Sequence, residues 1–527
     1  MVVRGALVQP AGARSHGLSG RRAALPGRVV AVAGVTGVAL AAVPMLLYLW
    51  IALHRLDYPY ELDWMEGGSV GNVGRVLAGH SLYVAPSLKF VGWTYPPLYW
   101  LACAAVAQIT GLGFLPLRIV SFVSSLVAIA MIGKLVRDET GDRTAGAVAA
   151  GLFAATYRLS GSWFDVGRVD SMFLALTLVA LAYGRRAQGV RGGLMLGLLA
   201  FLAFFTKQTA LIALAPALVL LALTRRPVGV SATLTLAALV VISTVVLDAA
   251  TGGWYRYYVF SELSGQGWAA PEWLDFWRTD LFSHLWPLCV LLVVAVSVVL
   301  GLALRSRAEA RRRTAGPAAA VPFTYQLAAV AGLLLAAWFS RLHTGGYLNV
   351  LLPAYAGCAL IGGLAYGQLR RHGMVAALLA TAAVVMQLVV LAYPVAAQIP
   401  TRADRAAGSE LLTALRKLPG PILILRHPWY GTLAGKGSFA QGEGISDALR
   451  SQAVRGARIL RASLPDALNR YHVQTVVLDG NSAPSWLIPQ LQREFRLESS
   501  AITATALYPL TDLRTAPSLV YVRRSRT

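Results

Sequence analysis

The chain has 527 residues, of which 56% are hydrophobic and 13% charged, against about 25% charged in soluble domains. A mean hydropathy of +0.59 and recurrent apolar runs of about 20 residues exclude an ordinary soluble protein and indicate a polytopic membrane protein. The net charge of +23 does not imply nucleic acid: no nucleic-acid motif accompanies it, and many arginines fall between hydrophobic runs, where the positive-inside rule accounts for them.

Residues 1–27 carry Arg4, Arg14, Arg21 and Arg22 and no carboxylate; they are expected to form a disordered, basic cytoplasmic tail. The apolar run over 29–53 continues without a polar cleavage region and reads as a retained signal-anchor helix. Further spans are predicted at 116–136, 144–161, 170–184, 192–206, 208–224, 228–250, 284–304, 323–340, 347–367 and 374–397. The segment 96–111 decides the orientation. If it crossed the bilayer, the basic connectors at 137–143, 185–191, 225–226, 305–313 and 370–371 would all lie outside, against the positive-inside rule. As a short, proline-initiated helix resting on the outer face, it leaves all of them inside. Eleven spans follow, with the N-terminus cytoplasmic and the C-terminus outside the plasma membrane. The expected architecture is an all-α polytopic domain over 28–399, with a large first outer loop at 54–115. An extracytoplasmic α/β domain follows over 400–527.

The first outer loop concentrates chemistry. Glu61, Asp63 and Glu66 stand close together in a chain with only 24 acidic residues, and Lys89 and the element Tyr95-Pro96-Pro97-Leu98-Tyr99 follow. On a helix Asp63 and Glu66 would share a face. Close carboxylates raise one another's pKa, which suits one to accept a proton from a hydroxyl. The pair also has the oxygen chemistry to hold a divalent cation, Mg²⁺ or Mn²⁺. The alternative is a solvated helix face, although Val70, Val73 and Leu77 give that helix an apolar side suited to the membrane surface.

Asp165, Arg168 and Asp170 form either an ion-pair network or a phosphate site beside a carboxylate. Lys207 either snorkels to the interface or neutralises a lipid-linked phosphate, and Arg341 and His343 carry the same two readings. The aromatic stretch 251–283 is an interfacial belt or a groove wall. Cys103, Cys289 and Cys358 lie in apolar segments with no metal-binding spacing. From about residue 399 the composition becomes ordinary globular: 403–418 has helical spacing, and 422–425, 475–478 and 519–522 read as buried strands. No GxGxxG, P-loop or GxSxG occurs there. His427, in His427-Pro428-Trp429-Tyr430, reads as a loop residue or part of a site.

The acidic cluster after the first span, Arg75–Tyr83 as R-x-L-x-G-x-x-L-Y, and YPPLY resemble the C-type, polyprenyl-phosphate-sugar-dependent glycosyltransferases, which include protein O-mannosyltransferases and lipid A aminoarabinose transferases. Arg168-Val169-Asp170 is similar to that family's R-P-D element, Phe205-Thr206-Lys207-Gln208 to its F-L-T-K-G element, and GYLNVLLP at 346–353 to its N-Y-x-L-P helix start. The resemblance spans roughly 30–397. It implies Asp63 as catalytic base, with Glu66 or Glu61 as alternatives. It implies Lys207, Arg168 and Lys89 as contacts for the donor phosphate; Arg341 and His343 are expected to join them on the charge reading above, and Asp170, Tyr95, Gln208 and Asn349 are expected to bind substrate. The implied activity is transfer of a pentose or hexose from a polyprenyl-phosphate donor to an envelope glycan, lipid or protein on the outer face. A transporter or flippase of a lipid-linked saccharide is the alternative, and it predicts charged groups at mid-span.

Overall fold

A computed structural model describes residues 19–310, 324–480, 483–498, 502 and 506–524, with side chains described from residue 29 and not over 299–310. Helix α1 (Ser19–Arg55) starts inside the stretch read as a disordered tail, whose first 18 residues lie outside the described ones. After α2 (Glu66–Leu77) and α3 (Leu98–Thr110), the bundle is built from α4 (Phe114–Thr140), α5 (Arg143–Ala155), α6 (Asp170–Arg186), α7 (Gly189–Thr206), α8 (Ala210–Thr224) and α9 (Arg226–Ala250). Two short helices, α10 (Trp254–Arg256) and α11 (Glu272–Asp275), each lead into a π-helical turn. The bundle then continues through α12 (Ser283–Ala310), α13 (Thr324–Arg341), α14 (Leu352–Arg370) and α15 (Met374–Val390). Each predicted span is therefore represented by a helix. Six helices of the described residues are long and apolar enough to cross a membrane, and α3, α5, α8 and α15 are shorter apolar helices.

The charged connectors show how the helix ends sort. Arg185 pairs with Glu139 at 2.9 Å, Arg186 with Asp138 at 2.9 Å and Arg370 with Asp142 at 2.8 Å, while Arg225 donates to the Arg185 carbonyl at 2.9 Å. These connectors thus share one end of the bundle. At the other end Arg118, one turn into α4, donates to the carbonyls of Arg55, Tyr58 and Tyr60 at 3.1, 2.6 and 2.6 Å. Hence α4 begins where α1 finishes, and residues 56–113 leave and return at the same end. With 13 residues, α3 reaches only about 20 Å at 1.5 Å per residue, short of a bilayer core of about 30 Å. The connectors at 137–143, 185–191, 225–226 and 370–371 lie at the end opposite this loop, and the basic connector at 305–313 falls outside the residues whose side chains are described.

Helix α2 does not present its apolar side to lipid as expected. Val70 and Val73 are fully buried, whereas Leu77 is exposed, and the helix packs against α3. The reason lies in the C-terminal residues. Beyond α16 (Arg402–Lys417), strands β1 (Ile422–Ile424), β2 (Thr475–Leu478), β3 (Phe495–Leu497) and β4 (Leu519–Arg523) form one sheet in the order β1-β2-β4-β3. Strands β1 and β2 are parallel, and the remaining pairs are antiparallel. Its apolar side chains, including Leu423, Val476 and Leu478, lie in one continuous cluster with Trp64, Val70, Trp93 and Tyr99. The first loop and the sheet region therefore share a core. Strand β3 escaped sequence reading because two of its three residues are exposed, which leaves no apolar run.

Candidate active site

The three clustered carboxylates have three different environments. Glu66 opens α2 and accepts from Arg118 Nε and Nη2 at 3.1 and 2.7 Å, from the Leu62 amide at 2.8 Å and from the Gly167 amide at 2.7 Å. Burial alone would raise its pKa, but Arg118 and the two amides hold the carboxyl below its usual value. Glu61 is fully buried against His427 Nδ1, whose Nε2 lies 3.0 Å from Asp479. Burial pushes Glu61 up to about 7. Burial opposes the charge on His427 too, yet the two flanking carboxylates carry its pKa up to about 10, so the imidazole is held protonated. Asp63 lies in the turn before α2, not on it, so the expected helix face shared with Glu66 does not form. Its Oδ2 accepts from the Met65 amide at 3.2 Å and sits 3.7 Å from Arg168 Nη1, while Oδ1 has no hydrogen-bond partner among the described residues. Burial pushes this carboxyl well above the usual range, against the pull of Arg168.

Arg168 connects Asp63 to a cavity of about 200 Å³. The guanidinium is stacked between Trp93 and Trp163, 4.8 and 5.0 Å from their ring centres. Its Nη1 lacks a hydrogen-bond partner. Beside it Lys207, at the end of α7, is buried with its Nζ 2.7 Å from Asp170 Oδ1 and over the Tyr95 ring at 5.6 Å. Gln208 donates to the Thr94 and Val259 carbonyls at 2.8 and 3.0 Å and so ties the YPPLY element to the aromatic stretch. His343 stacks on Trp268 with ring centres 5.0 Å apart, and burial lowers its pKa.

Of the residues singled out from sequence, Arg168, Lys207, Gln208, Tyr95, His343 and Asn349 all line this cavity. Asp63 and Asp170 adjoin it through their cationic partners. Four others do not line it, among them Glu61, which is closed against His427. Arg341 is held by Asp280 at 2.8 Å and Glu272 at 3.2 Å, which turn it away from the cavity. Lys89 lies in a separate recess, donating to the Ser438 carbonyl at 2.7 Å. Glu66 is wholly engaged with Arg118 and backbone amides, so Asp63 and Glu66 do not form a cation cradle. Among the described residues no group of three or more His, Cys, Asp or Glu is placed to hold a metal ion. The aromatic stretch divides: Trp254, Tyr255, Tyr257 and Tyr258 are buried, whereas Trp268, Trp273 and Trp277 are exposed. It supplies a wall of the cavity through Leu263 and Gln266 and leaves three tryptophans exposed.

Sequence reading missed two cavity carboxylates. Helix α17 (Pro428–Leu433) carries Tyr430, which donates no side-chain bond into the cavity. The following α18 (Gly442–Arg450) places Glu443 and Asp447 in the cavity wall. Both pair with Arg450, which also donates to Gln266 at 3.0 Å. Burial and neighbouring Glu443 push Asp447 up to about 7. The signal was present as Glu443, Asp447 and Arg450 on one helical face, but no motif sets it apart from a solvated helix.

Residues 94–247 match the family model of dolichyl-phosphate-mannose-protein mannosyltransferases. The fold is that of ArnT from Cupriavidus metallidurans, whose crystal structure bound to undecaprenyl phosphate aligns with a TM-score of 0.52 at 13% identity. The alignment covers 93% of this chain and 98% of that one. The apo form of the same protein aligns equally well, at 0.52 and 13%. The oligosaccharyltransferase of Archaeoglobus fulgidus in complex with zinc and sulfate aligns at 0.44 and 14%, over 86% of this chain and 68% of that one. A comparison with curated protein sequences gave no match. The chain thus shares its fold with ArnT, and its segment 94–247 is similar to the mannosyltransferase family, in line with the resemblance its motifs carry.

Proposed function

We propose that the protein is a membrane glycosyltransferase that moves a pentose or hexose from a polyprenyl-phosphate donor to an envelope glycan, lipid or protein on the outer face of the plasma membrane. The observation that carries this reading is the juxtaposition of Asp63, Arg168 and Lys207 at one aromatic-walled cavity. Two desolvated cations beside a carboxylate with an unpartnered oxygen suit a displacement at a sugar carbon bearing a phosphate. Asp63 takes the proton of the acceptor hydroxyl as its oxygen bonds to the anomeric carbon. The bond from that carbon to the phosphate oxygen breaks, and Arg168 and Lys207 stabilise the charge that gathers on the departing lipid phosphate. Donor binding also prepares the base. A phosphate drawn to Arg168 competes with Asp63 for that cation, and a carboxylate deprived of its counter-ion gains proton affinity.

The ArnT structure bound to undecaprenyl phosphate is consistent with a lipid-phosphate donor. On this reading the loop and sheet region face outward, the basic connectors face the cytoplasm, and residues 400–527 act as an outer domain. Carriage of a lipid-linked saccharide is less well supported, because the ion pairs among the described residues gather at helix ends or in the sheet region rather than at mid-span. The test is transfer from a radiolabelled polyprenyl-phosphate sugar by the purified protein in proteoliposomes, with membrane extract as acceptor. Label moving into extract identifies a transferase. Label crossing the bilayer without acceptor, and no transfer when acceptor is present, would establish the carrier.

A further inference from the structure

A second recess, of about 260 Å³, lies between α2 and the residues that follow α17. Its floor is the glycine-bearing face of α2. A side-chain carbon placed on Gly71 would meet no heavy atom within 4 Å, so the recess opens directly onto helix backbone. Asn72, on the same wall, is 1% exposed, yet among the described residues its Oδ1 has no hydrogen-bond partner, while its Nδ2 donates to the Gly68 carbonyl at 2.9 Å. A buried amide oxygen without a donor is destabilising unless something supplies one. The rim is basic: Arg75 stacks over Phe90 at 4.0 Å, Lys89 over Phe439 at 4.4 Å, and His80 stands nearby. Among the described residues no carboxylate lines it. Trp93 forms a wall common to this recess and the cavity at Arg168.

We propose that this recess binds an anionic saccharide, carrying either a phosphate or a carboxylate. A hydroxyl of the sugar donates to Asn72 Oδ1, the ring lies on the bare backbone at Gly71 beside Trp93, and the negative group meets Arg75 and Lys89. That this sugar belongs to the acceptor rests on the transferase reading; that the recess binds it does not. One indole then separates the acceptor's anchor from the cations that hold the donor.

Saturation-transfer NMR on the full-length protein in detergent tests the proposal without any donor or turnover, using glucose 6-phosphate, glucuronate, glucose and inorganic phosphate as probes. Both charged sugars are expected to bind, and neutral glucose to bind at least about tenfold more weakly. Gly71→Leu, which fills the recess on a helix that tolerates leucine, should abolish the signal with the thermal midpoint retained. Lys89→Gln should weaken binding about tenfold, and Lys207→Met, in the other cavity, should leave it intact. Glucose binding as tightly as the charged sugars, binding that survives Gly71→Leu, or binding lost in Lys207→Met would each overturn the proposal. If inorganic phosphate displaces glucose 6-phosphate but not glucuronate, the recess selects phosphorylated sugars; displacement of both assigns it to anionic sugars at large. Binding as expected without sugar transfer in proteoliposomes would sink the transferase reading alone.

Discussion

Asp63 and Glu66 come from one short turn of chain and end in opposite states. Glu66 has four donors, low proton affinity and no access to the cavity; Asp63 has an oxygen without a partner and a raised pKa beside a cavity cation. Replacing Asp63 with Asn should therefore lower kcat by about 10²–10⁴ while the thermal midpoint in detergent stays close to wild type. Glu66→Ala should act on stability. It leaves the Arg118 charge buried and unpaired, at a cost of roughly 3–5 kcal/mol, seen as a large fall in the unfolding midpoint. His427 makes a third case. Its pKa rises from 6.5 to about 10 on folding, so its contribution is complete below about pH 6.5 and is lost as pH rises through about 10. Glu61, raised from 4.5 to about 7, acts in the same sense at lower pH: its contribution is complete below about pH 4.5 and is lost as pH rises through about 7. Thermal midpoints should therefore fall on the alkaline side, and His427→Gln should flatten that decline. An unchanged alkaline slope would show that the imidazole is not held charged.

At the scale of elements, α18 contributes most that is new. Its Asp447 titrates near neutrality and faces the cavity that holds Arg168 and Lys207. As pH rises through about 7 the carboxylate ionises, and a negative wall then opposes an anionic donor. The KM for donor should rise across neutral pH in the wild type and stay level in Asp447→Asn; a parallel rise in both would exclude this carboxylate. The helix was invisible as a functional element in the sequence because its partners, Gln266 and the cavity wall, are distant in the chain. The helices of the bundle were legible, since a run of about 20 apolar residues has few other stable outcomes. So were Lys207 and Arg168, as charges expensive to keep at a helix end. Arg341 and Lys89 looked identical to them in sequence. Only the positions of Asp280, Glu272 and Ser438 tell them apart.

For the whole molecule, the two collections of helix ends set the orientation. If the basic connectors are cytoplasmic, an impermeant maleimide added to intact cells should label Glu410→Cys and spare His372→Cys in a background lacking Cys103, Cys289 and Cys358. The reverse pattern would invert the proposed topology. The loop bearing Asp63 is held from several sides by late residues. Gln441 donates to the Trp64 carbonyl at 3.2 Å, the Thr511 amide to Leu62 at 2.9 Å and Trp64 to Asp512 at 3.3 Å.

The Glu61–His427 contact joins residues 366 positions apart. At about 5–20 residues per second, the ribosome delivers His427 roughly 20–70 s after Glu61. During that interval Glu66 already has Arg118 and the Gly167 amide to hold it, but Glu61 still lacks its imidazole partner. The ties that fix the turn bearing Asp63 are complete only once translation has passed residue 512, so a polypeptide stalled before Gln441 carries that turn without any of them.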